Sequence, residues 1–258
     1  MRADSGLRLT SPANPLLKEI RKAARRGRAT ADGLWLAESP HLLEEAADCN
    51  AAIEAIVLAD RAAPPVLALA ERSGAPLRLV SDAIFDELST TEHSQGVLAL
   101  VRPKTWQIRD LAMAQGPLLA LDQVADPGNV GAIARSAEAF GAAGLLLTKG
   151  CAWPDNPKTL RASAGALFRL PVAAGLTAET VLAACAEAGR PLLAAAAHGG
   201  TPLHEAALAG AAIVIGSEAH GVSAALAGKA QPIHIPTRRV ESLNAAVAAA
   251  IILYEAAR

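Results

Sequence analysis

Two successive α/β units, each with strands and helices in alternation, are what this 258-residue chain predicts. Short β-type runs alternate with helical patterns twice over, which is the mark of parallel α/β layers. A stretch with the composition of a linker, Arg102 to Gly116, separates the two series. A hydrophobic content of 52% over this length supports one large core or two ordinary ones.

The elements follow in order. A helix is expected from about Asn14-Pro15, because proline suits the first helical position and Asn suits the cap before it. Strands are predicted at Gly33–Ala37, Ala55–Ala59, Leu77–Val80 and Val97–Val101, where β-branched and apolar residues cluster. Helices fit between them at Pro40–Ala47, Pro65–Arg72 and Asp82–Leu88. Within the linker, Ile108 to Met113 has the pattern of a helical turn. The second series starts with the strand Pro117–Asp122 and the turn Ala125-Asp-Pro-Gly128, followed by a helix over Asn129–Phe140. Next come Gly144–Thr148, a loop with Trp153-Pro154, a helix over Pro157–Ala166 and a strand at Leu170–Val172. A helix near Ala178–Ala188, strands at Leu192–Ala196, Ala211–Gly216 and Pro232–Ile235, and a final helix from Ala245 complete the chain. The division expected is a basic segment 1–30, a domain over 31–102, a linker 103–116 and a second domain over 117–258.

Composition excludes several classes. No apolar run has the length of a membrane span, and Met1-Arg-Ala-Asp lacks the apolar core of a secretory signal, so a cytoplasmic protein is expected. Cys49, Cys151 and Cys185 lie far apart and suggest neither a disulfide framework nor a metal site. The six histidines have no metal-ligand spacing, and G-x-S-x-G is absent, which removes zinc and hydrolase readings. Net charge is −1, yet residues 1–30 carry eight Lys/Arg against Asp4 and Glu19. On a helix from Asn14-Pro15, Lys18, Arg21, Lys22, Arg25 and Arg26 fall on one side and Leu16, Leu17, Ile20, Ala23 and Ala24 on the other. Such a helix docks by its apolar stripe; its cationic stripe is either simply solvated or meets a phosphate backbone.

Four segments carry the chemistry. Asp126-Pro-Gly-Asn-Val-Gly131 lies between a strand and a helix, where backbone N–H groups can approach a phosphate, although the spacing is not G-x-G-x-x-G. The alternative is that Asn129 caps the helix and Gly131 permits close packing. Arg135 falls among Ile133, Ala134, Ala137 and Phe140, so its guanidinium either snorkels to water or meets an anion. Gly216-Ser217-Glu218 ends a strand, where open α/β sheets place ligands. Ile233-His-Ile-Pro236 and Glu241-Ser-Leu-Asn244 precede the last helix, and Ser242 and Asn244 are each good caps for it.

Together these segments resemble the three signature motifs of the SpoU/TrmH family, knotted enzymes that methylate ribose 2′-hydroxyls of RNA with S-adenosylmethionine. The resemblance spans nearly the whole chain. Glu38 with Pro40-His-Leu-Leu-Glu-Glu45, and Leu88 to Leu100, look like the L30e-like RNA-binding domain of many members; Lys149 to Pro171 is similar to the family's interior. The resemblance implies an N-terminal L30e-like α/β domain followed by an α/β trefoil-knot (SPOUT) methyltransferase domain, acting as a homodimer on RNA, with no membrane or DNA partner and no metal. It implies S-adenosylmethionine held by Gly216, Ile235, Pro236 and Leu243, and a catalytic set of Asn129, Arg135, Glu218, Ser242 and Asn244, with Arg135 acting from the partner subunit. Arg161, Arg238 and Arg239 join the cations of the first helix as expected RNA contacts. Ribosomal RNA, 23S in particular, is the expected substrate, with transfer RNA as the alternative. A non-catalytic RNA-binding module with a vestigial pocket and a nucleotide-dependent oxidoreductase are the competing readings. The chain departs from the family at Ser39, where glycine is common, at Ala219-His220, and between Pro236 and Ser242, a loop that is one residue short and lacks its usual glycine.

Overall fold

The computed structural model describes residues 6–258, so Arg2 and Asp4 of the basic segment lie outside the described residues. It forms two compact units: residues 6–104 with 155–168 form the first, and residues 105–154 with 169–258 the second. This differs from the expected linear division at two places. Residues 155–168 fold with the first unit, and most of the expected linker 103–116 is structure of the second.

Unit 1 contains β1 (Leu7–Arg8), α1 (Pro15–Arg26), β2 (Trp35–Glu38), α2 (Pro40–Asp48), β3 (Ala52–Ala59), α3 (Pro64–Arg72), β4 (Leu77–Val80), α4 (Asp82–Asp86) and β5 (Val97–Arg102). Its sheet order is β1-β4-β3-β5-β2. The first three strands are parallel, but β5 pairs antiparallel with both β3 and β2, so the sheet is mixed rather than parallel. Alternation of strand and helix does not set strand direction, and here the chain between α4 and β5 returns to the far side of β3. Against this sheet α1 buries Leu17, Ile20 and Ala23, in one core with Leu36, Val57, Phe85, Leu98 and Leu100.

Unit 2 contains α5 (Ile108–Met113), β6 (Leu118–Asp122), α6 (Pro127–Ala139) and β7 (Gly144–Thr148), interrupted by α7 (Pro157–Ala162) of unit 1. It resumes with β8 (Val172–Leu176), α8 (Ala178–Glu187), β9 (Leu192–Ala196), β10 (Thr201–Pro202), β11 (Ala212–Gly216), α9 (Ala224–Ala227), β12 (Gln231–His234) and α10 (Ala245–Ala256). Its seven strands, ordered β10-β12-β9-β11-β6-β7-β8, are parallel throughout. Covered on both faces, β6 and β7 are buried at every residue and read as unbroken apolar runs, as parallel strands do.

Helix starts repeat one local device. Asn14-Pro15, Ser39-Pro40, Asp126-Pro127 and Asn156-Pro157 each place a side-chain acceptor on an early backbone N–H and a proline at the first helical position. Ser39 at the first departure from the family therefore has a structural use: its Oγ accepts from Leu42 N at 3.1 Å. The device also corrects the expected start of α6, which is Asp126-Pro127 and not Asn129. The helix expected over Pro157–Ala166 stops at Ala162, because Ala164 and Gly165 adopt positive φ, and the strand expected at Leu170–Val172 runs over Val172–Leu176 instead.

In place of a linker, α5 buries Leu111 and Ala112 in the core of unit 2 beside Leu118, Leu146, Val181 and Val214. Arg190 secures it. The guanidinium donates to the carbonyls of Ala112 (2.6 Å), Gly116 (2.8 Å), Gly210 (2.9 Å) and Ala114. Arg190→Ala strands these carbonyls and should cost about 2–3 kcal/mol, read as a lower urea midpoint at unchanged slope. No described helix is long and apolar enough to cross a membrane, and no described group of His, Cys, Asp and Glu is placed to hold a metal.

Candidate active site

The carboxyl ends of β9, β11 and β12, closed over by α10, enclose a cavity of about 490 Å³. Gly216, Ser217, Glu218, Ile235, Ser242, Leu243 and Asn244 line it, together with Leu203, Ile215, Ile233 and Ile252. Glycine is required at 216: a Cβ there would lie 2.0 Å from the Gly221 carbonyl carbon. The backbone folds back at that point, with Gly221 N donating to Ser217 O at 2.8 Å and Ser217 N to Gly221 O at 3.1 Å. This tight loop aims Glu218 along the cavity rim.

A chain of amides connects the segments that the sequence singled out. Asn244 caps α10, its Oδ1 accepting from Ala246 N (2.9 Å) and Val247 N (3.2 Å). Its Nδ2 donates to Asn129 Oδ1 at 3.1 Å, and Asn129 Nδ2 donates to Glu218 Oε1. Every amide orientation is thereby forced, since backbone N–H groups require an oxygen at one end and a carboxylate requires a donor at the other. Both roles weighed for Asn129 and Asn244 resolve here. Asn244 caps and relays; Asn129 does not cap, because Asp126 Oδ1 takes its backbone N–H at 2.8 Å and leaves the amide side chain for Glu218.

The other expected residues divide. Ser242 lines the cavity without a hydrogen bond among the described residues, and Pro236 lines a neighbouring cavity rather than this one. Arg135 is exposed, its guanidinium in water rather than on an anion of this chain, and has no hydrogen-bond or ion-pair partner among the described residues. Six residues beyond Asn129 on α6, it stands about 9 Å further along the axis and on a different face. No hydrogen bond or ion pair among the described residues connects it to the amide chain of Asn244, Asn129 and Glu218.

The expected RNA contacts in unit 1 divide as well. Lys18, Lys22, Arg25 and Arg26 are exposed on α1. Arg21 is not part of that stripe: its Nη2 lies 2.7 Å from Glu87 Oε2, with the side chain largely covered. Arg161 is withdrawn too, half-buried and donating to Thr90 Oγ1 at 2.6 Å. It faces the buried Glu38, which accepts from Thr90 N (2.7 Å), Thr90 Oγ1 (2.6 Å) and Thr91 Oγ1 (3.0 Å) and from Ser89 Oγ. Burial pushes this carboxyl upward, but the bonds from Ser89, Thr90 and Ser94 outweigh it and hold the group below its ordinary value. A buried carboxylate needs donors and a cation, so this arginine serves the fold.

Sequence reasoning missed Asp122 and His234. Asp122, buried at the end of β6, accepts from Thr148 Oγ1 (3.0 Å) and Ser223 N (2.7 Å) and so fixes the loop after β11. An acidic residue closing an apolar strand was its one signal. His234 lines the cavity with Nδ1 buried and unpartnered; nothing in its spacing marks it.

The chain is similar to known proteins over both units. Residues 116–254 match the sequence profile of the SpoU rRNA Methylase family, and residues 14–99 that of the MRM3-like substrate binding domain. The 23S rRNA (guanosine(2553)-2′-O)-methyltransferase RlmP of Bacillus subtilis is 32% identical over 95% of this chain and 97% of its own. The 23S rRNA (adenosine(1067)-2′-O)-methyltransferase of Streptomyces laurentii is 34% identical over 75% of this chain and 73% of its own. A crystal structure of an AdoMet-bound rRNA methyltransferase from Sinorhizobium meliloti superposes with a TM-score of 0.81 at 28% identity, covering 96% of each chain.

Proposed function

Because this chain belongs to the SpoU rRNA methylase family, we propose that it methylates a ribose 2′-hydroxyl of 23S ribosomal RNA with S-adenosylmethionine. The observation that carries the reading is the chain of amides from Asn244 through Asn129 to Glu218 on the rim of a ligand-sized cavity. The names of the Bacillus and Streptomyces relatives and the cofactor in the Sinorhizobium structure support the substrate and the donor.

The cavity fits that donor. Ile215, Ile233, Leu243 and Ile252 offer apolar walls, Gly216 and Ile235 offer backbone groups, and Glu218 and Glu241 offer negative charge to a cation. When bound, S-adenosylmethionine supplies an activated methyl group on a sulfonium. The remaining work falls to the protein: a ribose hydroxyl is a poor nucleophile until its proton is drawn away and its oxygen is aligned with the methyl. Asn129 and Glu218, locked by Asn244, position the ribose, and Ser242 adds a hydroxyl at the same wall. Arg135 orients the target and stabilises charge developing on its oxygen. The amide chain is complete without Arg135, which stands exposed and unpartnered among the described residues, and we assign it to the site of a second subunit. On α10 the exposed Val247, Ile251 and Tyr254 form an apolar stripe at helical spacing, which we assign to the dimer contact. Ile251→Glu with Tyr254→Glu should convert a dimer to a monomer in sedimentation equilibrium and remove activity; an unchanged mass would refute that assignment.

Transfer of labelled methyl to deproteinised ribosomal RNA and, separately, to transfer RNA tests the activity, with nucleoside digestion identifying the product. A 2′-O-methyl nucleoside from 23S RNA is the expected result. Label on transfer RNA alone would replace the substrate, and cofactor binding without label on either RNA would refute the proposal for free RNA.

A further inference from the structure

We infer that a second cavity beside the first is a phosphate-binding subsite for the RNA substrate, a reading that rests on the RNA methyl transfer proposed above. Its volume is about 520 Å³, and its charged or titratable lining consists of His198, His234, Arg238, Arg239 and Glu241. It adjoins the first cavity, because Ala197, His234, Ile235, Thr237 and Glu241 line both.

The two cavities share Glu241 but differ in their other charges. The lining of the first includes Glu218 and Glu241 but no Lys or Arg; the second is where both arginines stand. A methyl donor with a sulfonium, an ammonium and one carboxylate is a net cation and suits the first, which leaves the second to an anion. The arginines are available for it: neither Arg238 nor Arg239 has a hydrogen-bond or ion-pair partner among the described residues. They also sit on a closed turn. Thr237 Oγ1 donates to Val240 O at 2.8 Å, so Arg238 and Arg239 are the middle residues of a four-residue turn closed by that bond. At the shared wall, the buried and unpartnered Nδ1 of His234 marks an unmet hydrogen-bonding need.

A guanidinium fork matches two phosphate oxygens, and two forks side by side match a phosphodiester and its neighbour. The phosphate bound would be one flanking the nucleotide whose ribose enters the first cavity. The turn lies where the chain departs from its family, in the loop between Pro236 and Ser242 that is one residue short and lacks its usual glycine. That departure then brings a substrate contact to this loop.

Filter binding of the full-length protein to deproteinised bacterial 23S RNA over a range of KCl concentrations provides the test, paired with calorimetry of S-adenosylhomocysteine. For Arg238→Ala with Arg239→Ala, RNA affinity should fall at least about tenfold, and the slope of log K against log salt should shrink by about 1.4–1.8, as loss of two phosphate contacts requires. S-adenosylhomocysteine affinity should be unchanged. The double lysine variant should retain the salt slope while losing part of the affinity, because it keeps the charge without the fork. Weakened S-adenosylhomocysteine binding with an unchanged salt slope would assign the arginines to the donor's carboxylate and overturn the subsite, as would no change in either. A wild-type protein that methylates the RNA while the variant binds it normally would overturn the subsite alone. A wild-type protein that binds neither ligand would overturn the activity beneath it.

Discussion

Arg135→Ala is expected to slow methyl transfer by about two to three orders of magnitude, the loss typical of one donor aimed at developing charge. Affinity for S-adenosylhomocysteine should stay the same, because Arg135 is exposed on α6 and absent from the cavity lining. Single-turnover transfer to ribosomal RNA and calorimetry separate the two quantities; an equal fall in both would end the proposed role. Arg135→Lys should recover only part of the rate, since the charge survives and the fork does not. Complementation gives the sharper result. If the arginine of one subunit serves the amide chain of the other, mixing inactive Arg135→Ala with inactive Asn129→Ala should restore activity, because each mixed dimer contains one intact site. Were both residues to serve the same protomer's site, no mixture would recover any.

Glu38→Ala should be the most damaging single change in unit 1. Its side chain, on a residue only 2% exposed, collects Ser89, Thr90 and Thr91, and Arg161 donates to the same threonine. Removing the carboxylate leaves a half-buried cation and several hydroxyls without their acceptor, a loss of about 3–5 kcal/mol in urea unfolding. The pH dependence has a definite sign. Folding holds this carboxyl below its ordinary 4.5, so its contribution is complete above that value and is lost as pH falls through the lower folded one. The stability gap between wild type and Glu38→Gln should therefore be widest near neutrality and close in acid. A gap that widened in acid would mean that Glu38 folds as the neutral acid.

Much of this organisation can be read in the chain, for identifiable reasons. The apolar runs of β6, β7 and β11 announce buried parallel strands, and the cap-proline pair Asn14-Pro15 announces α1. Asn129, Glu218, Ser242 and Asn244 stand out because each lies at a strand end or helix start, where side chains turn to a site. Less legible were features that depend on distant partners. Nothing local tells that Asp126 rather than Asn129 caps α6, since both are good caps; only Glu218, remote in sequence, decides it. Arg161 and Arg21 read as surface cations until Glu38 and Glu87 are brought beside them. The two-residue strands β1 and β10 are too short to carry a period. The second cavity exists only because the chain after β12 turns back at Thr237.

The return of residues 155–168 to unit 1 has a consequence for biosynthesis. A polypeptide released after Lys104 would contain Glu38 and its hydroxyl donors but neither Arg161 nor Phe168, which packs near Trp35 with ring centroids 6.5 Å apart. At about 5–20 residues per second, a ribosome takes several seconds to add the missing stretch. During that interval the nascent chain carries an unfinished unit 1. Completion of that unit waits on the strands β6 and β7 being made first, so translation itself orders the two cores.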